Sequence, residues 1–346
     1  MSNNSAPSYL FSGIRFNERS FEPSRSDIER ICRFFSLGKL KHHQKEKGIS
    51  VYHGNPLVFV GTSLGEFVLK FYSTVRAPKI EAEYTLNTIL LKHRFPTPAM
   101  HAGYNGQPFF STNDKLATCF SYIDGLPLWE KLSDKHTIRQ VNTILFLLKN
   151  ILSIAHRKIF LEKQPALAAT LNAMAKNSRA MAPYNRKETI DETLLEAGRV
   201  YQSHQSLFAR QRLYNNANFG NFLIKDKTTY LLDLEHIQED YVLTDLACLV
   251  ISYIYLNAPI ALIKTVTKDY FARHKIKSNY LPVLNTLIKI RLIKRYLENI
   301  HREKSRNPFD CSPNLMHSYR SHLTSGQKLI ASALRWVRSE KLSKLF

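Results

Sequence analysis

A short β island inside a long helical region is the feature that most constrains the fold of this chain. Residues 213–237 read LYNNANFGNFLIKDKTTYLLDLEHI, in which two apolar runs flank the polar turn Lys225–Lys227. This pattern predicts a β-hairpin. Asn221 stands at the start of the first strand and Asp233 in the second, so the hairpin would bring both side chains to neighbouring strand ends. An amide and a carboxylate placed in this way can share a hard cation such as Mg²⁺.

Glu235 follows Asp233 by two positions, and residues two apart in a strand project to the same side. We therefore expect Glu235 beside Asp233, either as a further metal ligand or as an exposed acid. A structural turn is the competing interpretation of the Asn221–Asp233 pair, because Asn and Asp are also common turn residues.

The region before the hairpin changes from strand patterns to helix patterns. Runs rich in β-branched and aromatic residues extend from Ile49 to Tyr72, with a turn signal at Gly61–Gly65, and predict an antiparallel meander. Beyond Trp129 the pattern is mainly helical. This order predicts an α+β fold with a small β-rich lobe and a large helical lobe. The expected parts are a helical extension at 1–47, the β-rich lobe at 48–123, and the helical lobe at 124–346 with its hairpin at 213–237.

Six segments, taken in order, resemble the aminoglycoside phosphotransferase and choline kinase-like family. They are EFVLKFY (66–72), IEAEYTLNTIL (80–90), FSYIDGLPLWEKL (120–132), GNFL (220–223), LLDLEHI (231–237) and TDLA (244–247). The resemblance implies a two-lobed protein kinase-like fold, small and β-rich at its N-terminal end and mainly helical at its C-terminal end. It also implies ATP and Mg²⁺ as cofactors.

The resemblance further implies a role for each matching residue. Lys70 would contact the nucleotide phosphates, and Glu83 would orient Lys70, with Glu81 as the competing candidate. Asn221 and Asp233 would bind the metal. The adenine edge would meet backbone groups of Ser121, Tyr122 and Ile123. Two further matches are the nucleotide-covering turn at Gly54 and Asn55 and the loop-bracing carboxylate of Asp245.

The catalytic loop departs from the family pattern. Family loops read His-Gly-Asp followed by four residues and Asn, whereas this chain has Tyr214, Asn215 and Asn216 ahead of Asn221. Asn216 therefore stands where the carboxylate base is expected. An amide can orient a hydroxyl but cannot take its proton. Phosphoryl transfer depends mostly on positioning and charge neutralisation, so weak activity stays compatible with this replacement.

Three functions follow from these patterns. The first is an ATP-dependent phosphotransferase that acts on a hydroxyl of a small molecule or sugar, with Asn216 holding the acceptor. The second is a pseudokinase that binds nucleotide or a partner without phosphoryl transfer. The third is a basic protein that binds an anionic membrane or, less favoured, nucleic acid. Whether the chain is an enzyme stays open between them.

The charge balance bears on the partners. Of 346 residues, 49 are Lys or Arg and 28 are Asp or Glu, which gives a formal net charge of +21. Such a charge favours nucleotide phosphates, an anionic acceptor or an anionic membrane face. Basic segments at 288–304 and 328–346 motivate the membrane interpretation. Their competing interpretation is a helix that packs on the core and has a solvated basic face.

Location is predicted from the cysteines and the N-terminus. The four cysteines form no C-x-x-C pair, and the first residues lack the pattern of a signal peptide. We expect a cytoplasmic protein, with peripheral contact to the inner membrane face as the secondary expectation. The apolar run Leu246–Ile263 is interrupted by Asn257 and Pro259, so it predicts a buried helix followed by a second helix instead of a membrane span.

Overall fold

The computed structural model describes residues 23–45, 55–73, 76–112, 115–131, 135–155, 166–181, 184–256 and 258–304. These residues form two compact units. The sheet unit lies within 18–162 and 219–237, and the helical unit lies within 163–218 and 238–346. The lobe boundaries expected from the sequence stay a prediction.

An antiparallel sheet forms the centre of the sheet unit. Its strands are β1 (Leu40–Lys45), β2 (Leu57–Thr62), β3 (Gly65–Ser73), β4 (Met100–His101), β5 (Phe110–Ser111) and β6 (Lys115–Ser121). Their order in the sheet is β1-β2-β3-β6-β4, with β5 paired to β6. A tight turn at Ser63–Leu64 joins β2 to β3, within the turn predicted at Gly61–Gly65.

Three helices accompany this sheet in the same unit: α1 (Arg25–Phe34), α2 (Ala77–Lys92) and α3 (Lys135–Ile154). Ser24 caps α1 reciprocally with Asp27, which satisfies backbone N–H groups at the helix start. Ile28, Ile31 and Phe34 of α1 share one buried cluster with Val60 and Leu69 of the sheet. The helix that precedes the β-rich region is therefore part of the sheet's core.

The predicted hairpin is present in the sheet unit. Strands β9 (Phe222–Lys225) and β10 (Thr228–Leu231) pair antiparallel, and β7 (Leu126–Pro127) lies on the other side of β9. Asp226 and Lys227 form the turn with positive φ angles of 48° and 65°. A 3₁₀ turn at Leu234–His236 follows the second strand.

The helical unit contains five helices among the described residues and one short strand pair. The helices are α4 (Leu167–Met181), α5 (Tyr184–Ser203), α6 (Thr244–Tyr255), α7 (Ile260–His274) and α8 (Leu281–Lys304). Strands β8 (Arg210–Leu213) and β11 (Gln238–Tyr241) pair antiparallel. The apolar run Leu246–Ile263 is confirmed as a buried helix followed by a second one, with Pro259 capping the second.

The basic segment 288–304 belongs to α8, whose residues Ile288, Leu292 and Ile293 are fully buried. Its Lys289 forms an ion pair with Glu196 at 2.7 Å. This segment is therefore a core-packing helix, whereas the other basic segment, 328–346, lies outside the described residues. Within the described part of the chain, no helix combines the length and apolarity needed to cross a membrane.

Replacing Ile31 by Ala tests whether α1 is part of the sheet's core. Ile31 is 0 % exposed, so the substitution should destabilise the sheet unit by about 2–5 kcal/mol through lost burial and a cavity. Leu64→Ala is the matched control, because Leu64 is 70 % exposed in a turn. Urea unfolding measures both free energies, and equal small effects would contradict this packing.

Candidate active site

An ion pair between Lys70 and Asp233 is the centre of the candidate site. Lys70 lies in β3, which is paired on both sides, with Leu57 and Thr118 as its partners in register. Its Nζ atom lies 2.5 Å from Oδ1 of Asp233 and 3.8 Å from Oε2 of Glu235. The Lys70 side chain is only 11 % exposed. Burying an ammonium group in this way requires a carboxylate partner, and the hairpin supplies two.

The two charges stabilise each other. Burial by itself would lower the pKa of Lys70, but Asp233 and Glu235 outweigh it and hold that pKa well above its ordinary value. Burial would also raise the pKa of Asp233, yet Lys70 and His236 together hold it well below its usual range. Asp233 is therefore ionised at neutral pH, as a metal ligand must be.

The backbone at Asp233 differs from the sequence prediction. Strand β10 ends at Leu231, and Asp233 has left-handed angles, φ 55° and ψ 63°. Glu235 lies in the following 3₁₀ turn, so the prediction of both carboxylates on one side of a strand is wrong. The reason is that the ladder ends where β9 begins, at Phe222 opposite Leu231. The left-handed residue and the 3₁₀ turn nevertheless bring the two carboxylates together.

Glu235 is a buried acceptor and not an exposed acid. Its side chain is 7 % exposed, and its Oε2 accepts a hydrogen bond from Nδ2 of Asn55 at 3.2 Å. The guanidinium of Arg76 lies 3.5 Å from the same oxygen. Asn55 belongs to the turn predicted to cover a nucleotide; its neighbour Gly54 lies outside the described residues. Arg76 was missed by the sequence reasoning, because it belongs to none of the matching segments.

Glu83 lies inside the unit, whereas Glu81 on the same helix is exposed. Glu83 accepts a hydrogen bond from the Tyr72 hydroxyl at 3.0 Å, and Nζ of Lys70 lies 5.0 Å from the centre of the Tyr72 ring. Tyr72 thus contacts both side chains. Burial raises the pKa of Glu83 to about 7, although Lys70 opposes the shift. The orienting role of Glu83 stays a prediction.

The predicted adenine-binding segment lies at the end of β6. The amide of Ser121 donates to the Ala99 carbonyl at 2.8 Å, and the amide of Tyr122 donates to the Glu66 carbonyl at 3.2 Å. The Ser121 hydroxyl also lies 2.9 Å from Nε2 of His101. Because these two amides donate within the protein, an adenine contact would use the carbonyl oxygens of this segment or the amide of Ile123. That contact stays a prediction.

Two sets of side chains could hold a metal ion. The backbone oxygen of Asn221 accepts from the amide of Leu232 at 2.9 Å, which puts Asn221 at the same end of the hairpin as Asp233. Its role as a ligand stays a prediction. The second set is Asp233, Glu235 and His236, whose ligand atoms all lie within 4.8 Å of one another. Two ionisable carboxylates and an imidazole are donors that suit a divalent cation. His236 was not predicted.

The loop in which the sequence predicts Asn216 at the position of the base belongs to the helical unit. Asp245, in the first turn of α6, accepts hydrogen bonds from the amides of Tyr214 at 3.1 Å and Asn215 at 2.6 Å. Asn215 has a left-handed φ of 61°. Arg291 of α8 contacts Oδ1 of Asn215. Burial raises the pKa of Asp245 to about 6, and these two amides oppose the shift.

Asn216 is engaged within its own loop. Its Oδ1 accepts a hydrogen bond from Nδ2 of Asn218 at 2.8 Å, and its backbone oxygen accepts from the same amide at 3.2 Å. The side-chain oxygen of Asn216 therefore already accepts a hydrogen bond from within the loop. This arrangement can orient a ligand, but it supplies no proton acceptor of carboxylate strength.

Glu83→Gln should reduce the loss of stability between about pH 4.5 and pH 7. The pKa of Glu83 is raised from 4.5 to about 7. The unfolded chain therefore ionises first as the pH rises, so stability present below pH 4.5 is lost up to about pH 7, by at most about 3 kcal/mol. Urea unfolding across this range should show a flatter profile for the variant. If the free energy of unfolding falls equally with pH in both proteins, the raised pKa of Glu83 is contradicted.

The chain was compared with known families and structures. The model of the phosphotransferase enzyme family matches residues 46–278, more than half of the chain. No curated protein sequence matches it.

Solved structures share the fold at low sequence identity. An amicoumacin kinase in complex with AMP-PNP, Ca²⁺ and Ami has a TM-score of 0.66 and 10 % identity, with 93 % of this chain and 94 % of that chain covered. A spectinomycin phosphotransferase in complex with ADP and spectinomycin has a TM-score of 0.64 and 12 % identity, with 90 % and 98 % covered. A choline kinase from Cryptosporidium parvum has a TM-score of 0.55 and 15 % identity, with 91 % and 100 % covered.

These matches confirm the family and the two-lobed α+β fold that the sequence predicted. The chain belongs to the phosphotransferase enzyme family and has its protein kinase-like fold.

Proposed function

We propose that this chain transfers the γ-phosphoryl group of ATP to a hydroxyl of a small molecule or sugar. The observation that carries the proposal is the assembly of Lys70, Asp233 and Glu235, which brings residues 163 positions apart into ionic contact. A lysine on a central strand would supply the phosphate contact, and a carboxylate after the hairpin the metal contact, of a phosphoryl transfer from a metal-bound nucleotide.

The charges of the site suggest how nucleotide would bind. Lys70 and Arg76 are paired with Asp233 and Glu235 in the described structure. Phosphate oxygens would replace the carboxylates as partners of Lys70, which would leave Asp233 to hold the metal with Asn221. Bound Mg²⁺ would neutralise negative charge on the γ-phosphoryl group that is transferred and on the ADP that leaves. Backbone groups of Ser121–Ile123 would meet the adenine.

The acceptor is proposed only as a class. Asn216 would orient the acceptor hydroxyl by a hydrogen bond, and its proton would leave late in the reaction. The net charge of +21 favours an acceptor that is itself anionic. The use of ATP agrees with the cytoplasmic location predicted from the sequence. Peripheral membrane contact stays a prediction.

Lys70→Met should weaken the binding of Mg-ATP about 10- to 100-fold, because a charged hydrogen bond to phosphate contributes about 1.5–3 kcal/mol. Thermal denaturation at increasing ATP, with and without Mg²⁺, measures this through ligand-induced stabilisation. Lys92→Met is the control, since Lys92 is exposed at the end of α2. An unchanged ATP response in the Lys70 variant would overturn the assignment.

A pseudokinase is the second candidate function. It is favoured by one observation, the hydrogen bond that Asn216 Oδ1 accepts from Asn218. The side chain expected at the position of the base is thus already hydrogen-bonded, and as an amide it cannot take a proton as a carboxylate does. The chain would then bind nucleotide through Lys70 and Asp233 and act through a partner.

Asn216→Asp distinguishes the two functions. A carboxylate at this position would accept the hydroxyl proton, so ATP turnover with a pool of hydroxylated acceptors should rise at least tenfold, within the about 10²–10⁴ that a general base contributes. Asn172→Asp is the control, because it adds the same charge at an exposed position of α4 in the same unit. If the unsubstituted protein and both variants bind ATP but show no ATP turnover, the pseudokinase is favoured.

A further inference from the structure

Tyr72 contacts both side chains that the family resemblance would pair with each other directly. It follows Lys70 by two positions in β3, so the two side chains project to the same side of the sheet. The centre of its ring lies 5.0 Å from Nζ of Lys70, which is within the range of a cation–π contact. Its hydroxyl donates to Oε2 of Glu83 at 3.0 Å. The lysine and the glutamate are thus connected through a tyrosine.

Lys70 and Glu83 form no direct ion pair in the described part of the chain. The carboxylates that pair with Nζ of Lys70 are those of Asp233 and Glu235. Oε1 of Glu83 is buried and has no hydrogen-bond partner among the described residues. The pKa of Glu83, raised by burial to about 7, leaves this carboxyl group partly neutral at neutral pH. A partly neutral group attracts an ammonium through space only weakly.

Packing fixes the ring of Tyr72. Its side chain is 1 % exposed and belongs to one buried cluster with Ile80, Met100 and Leu116. Burial and the neighbouring Glu83 hold the pKa of Tyr72 well above its ordinary value, although Lys70 opposes the shift. The hydroxyl therefore keeps its proton and is the donor to Glu83. A ring held in this way presents its face to the lysine and its hydroxyl to the glutamate in one orientation.

From these contacts we propose that Tyr72 is a positioning residue, whose ring holds the Lys70 ammonium and whose hydroxyl is the route by which Glu83 acts on Lys70. Glu83 serves as a hydrogen-bond acceptor that fixes the ring, and its negative charge is not required. The inference rests on the proposed function and deepens it, because Lys70 is the residue that would meet the nucleotide phosphates. It differs from the direct orientation of Lys70 by Glu83 that the resemblance implies.

Glu83→Gln and Glu83→Leu separate the two ways in which Glu83 could act. Gln keeps an oxygen that accepts from Tyr72, so Mg-ATP should bind within about threefold of the unsubstituted protein. Glu83→Leu and Tyr72→Phe each remove the hydrogen bond, and each should weaken Mg-ATP binding about three- to tenfold. Glu81→Leu is the control, because Glu81 is exposed on the same helix. Calorimetric titration with Mg-ATP measures these affinities. A direct ion pair predicts binding at least about tenfold weaker in Glu83→Gln, and that result would overturn the proposal.

The double variant Tyr72→Phe/Glu83→Leu shows whether the two residues act as one unit. Both substitutions remove the same hydrogen bond, so the double variant should bind Mg-ATP no more than about twofold more weakly than the weaker single variant. If the two effects multiply, Glu83 acts on Lys70 independently of Tyr72 and the proposal is contradicted. The same conclusion follows if neither single variant changes the affinity.

NMR spectroscopy of protein labelled with ¹³C-lysine tests the position of Lys70 without nucleotide. The ε-methylene resonance of Lys70 is identified by its absence in Lys70→Met. The ring current of Tyr72 should shift this resonance upfield, and the shift should disappear in Tyr72→Leu and persist in Glu83→Gln. An unshifted resonance in the unsubstituted protein would contradict the proposal even if a variant fails to fold.

The two measurements distinguish failure of this inference from failure of the proposed function. If the Lys70 resonance is shifted but the unsubstituted protein does not bind Mg-ATP, the phosphotransferase is contradicted and the contact of Tyr72 with Lys70 is supported. If Mg-ATP binds and the resonance is unshifted, the positioning role of Tyr72 is contradicted and the nucleotide site is supported.

Discussion

The ion pair between Lys70 and Asp233 is the interaction on which the rest of the candidate site depends. Lys70 is fixed by a strand that is paired on both sides, so the position of its ammonium is set by the sheet. Asp233 reaches it from the hairpin end in a left-handed conformation. Glu235 and Tyr72 contact Lys70, and Arg76 contacts Glu235. Removing either charge would leave the other buried without its nearest partner.

The core of this site was predictable from the sequence because its parts occur in a fixed order. The strand that carries Lys70 and the apolar runs that flank the turn before Asp233 are local patterns, and both are found. Sequence spacing alone could not decide whether Glu83 or Glu81 is the residue predicted to orient Lys70. Burial separates them, since Glu83 is 4 % exposed and Glu81 is exposed.

What the sequence could not predict depends on backbone detail and on long-range contacts. Asp233 has left-handed angles at the point where the strand ladder ends, and the sequence pattern of alternating residues does not indicate where that point lies. Arg76 lies 159 positions from Glu235 and meets it only after the chain has folded. His236 follows Glu235 directly, but its contacts with Asp233 and Glu235 depend on the 3₁₀ turn, which the sequence did not predict. The side chain of Asn55 likewise reaches Glu235 across 180 positions.

The two parts of the family's catalytic apparatus differ in how well they are kept. The residues proposed to bind phosphate and metal lie in the sheet unit. In the helical unit Asp245 accepts hydrogen bonds from the amides of Tyr214 and Asn215, as expected of the loop-bracing carboxylate, whereas Asn216 is the residue predicted at the position of the base. Nucleotide binding and proton transfer would depend on different side chains, so the loss of the base need not affect binding.

A crystal structure of the chain with AMP-PNP and a divalent cation tests the central claim most directly. The account predicts that Lys70 leaves Asp233 for the phosphate oxygens and that Asp233 binds the metal. A structure in which AMP-PNP is absent from this site, or in which Lys70 remains paired with Asp233 beside a nucleotide bound elsewhere, would contradict it.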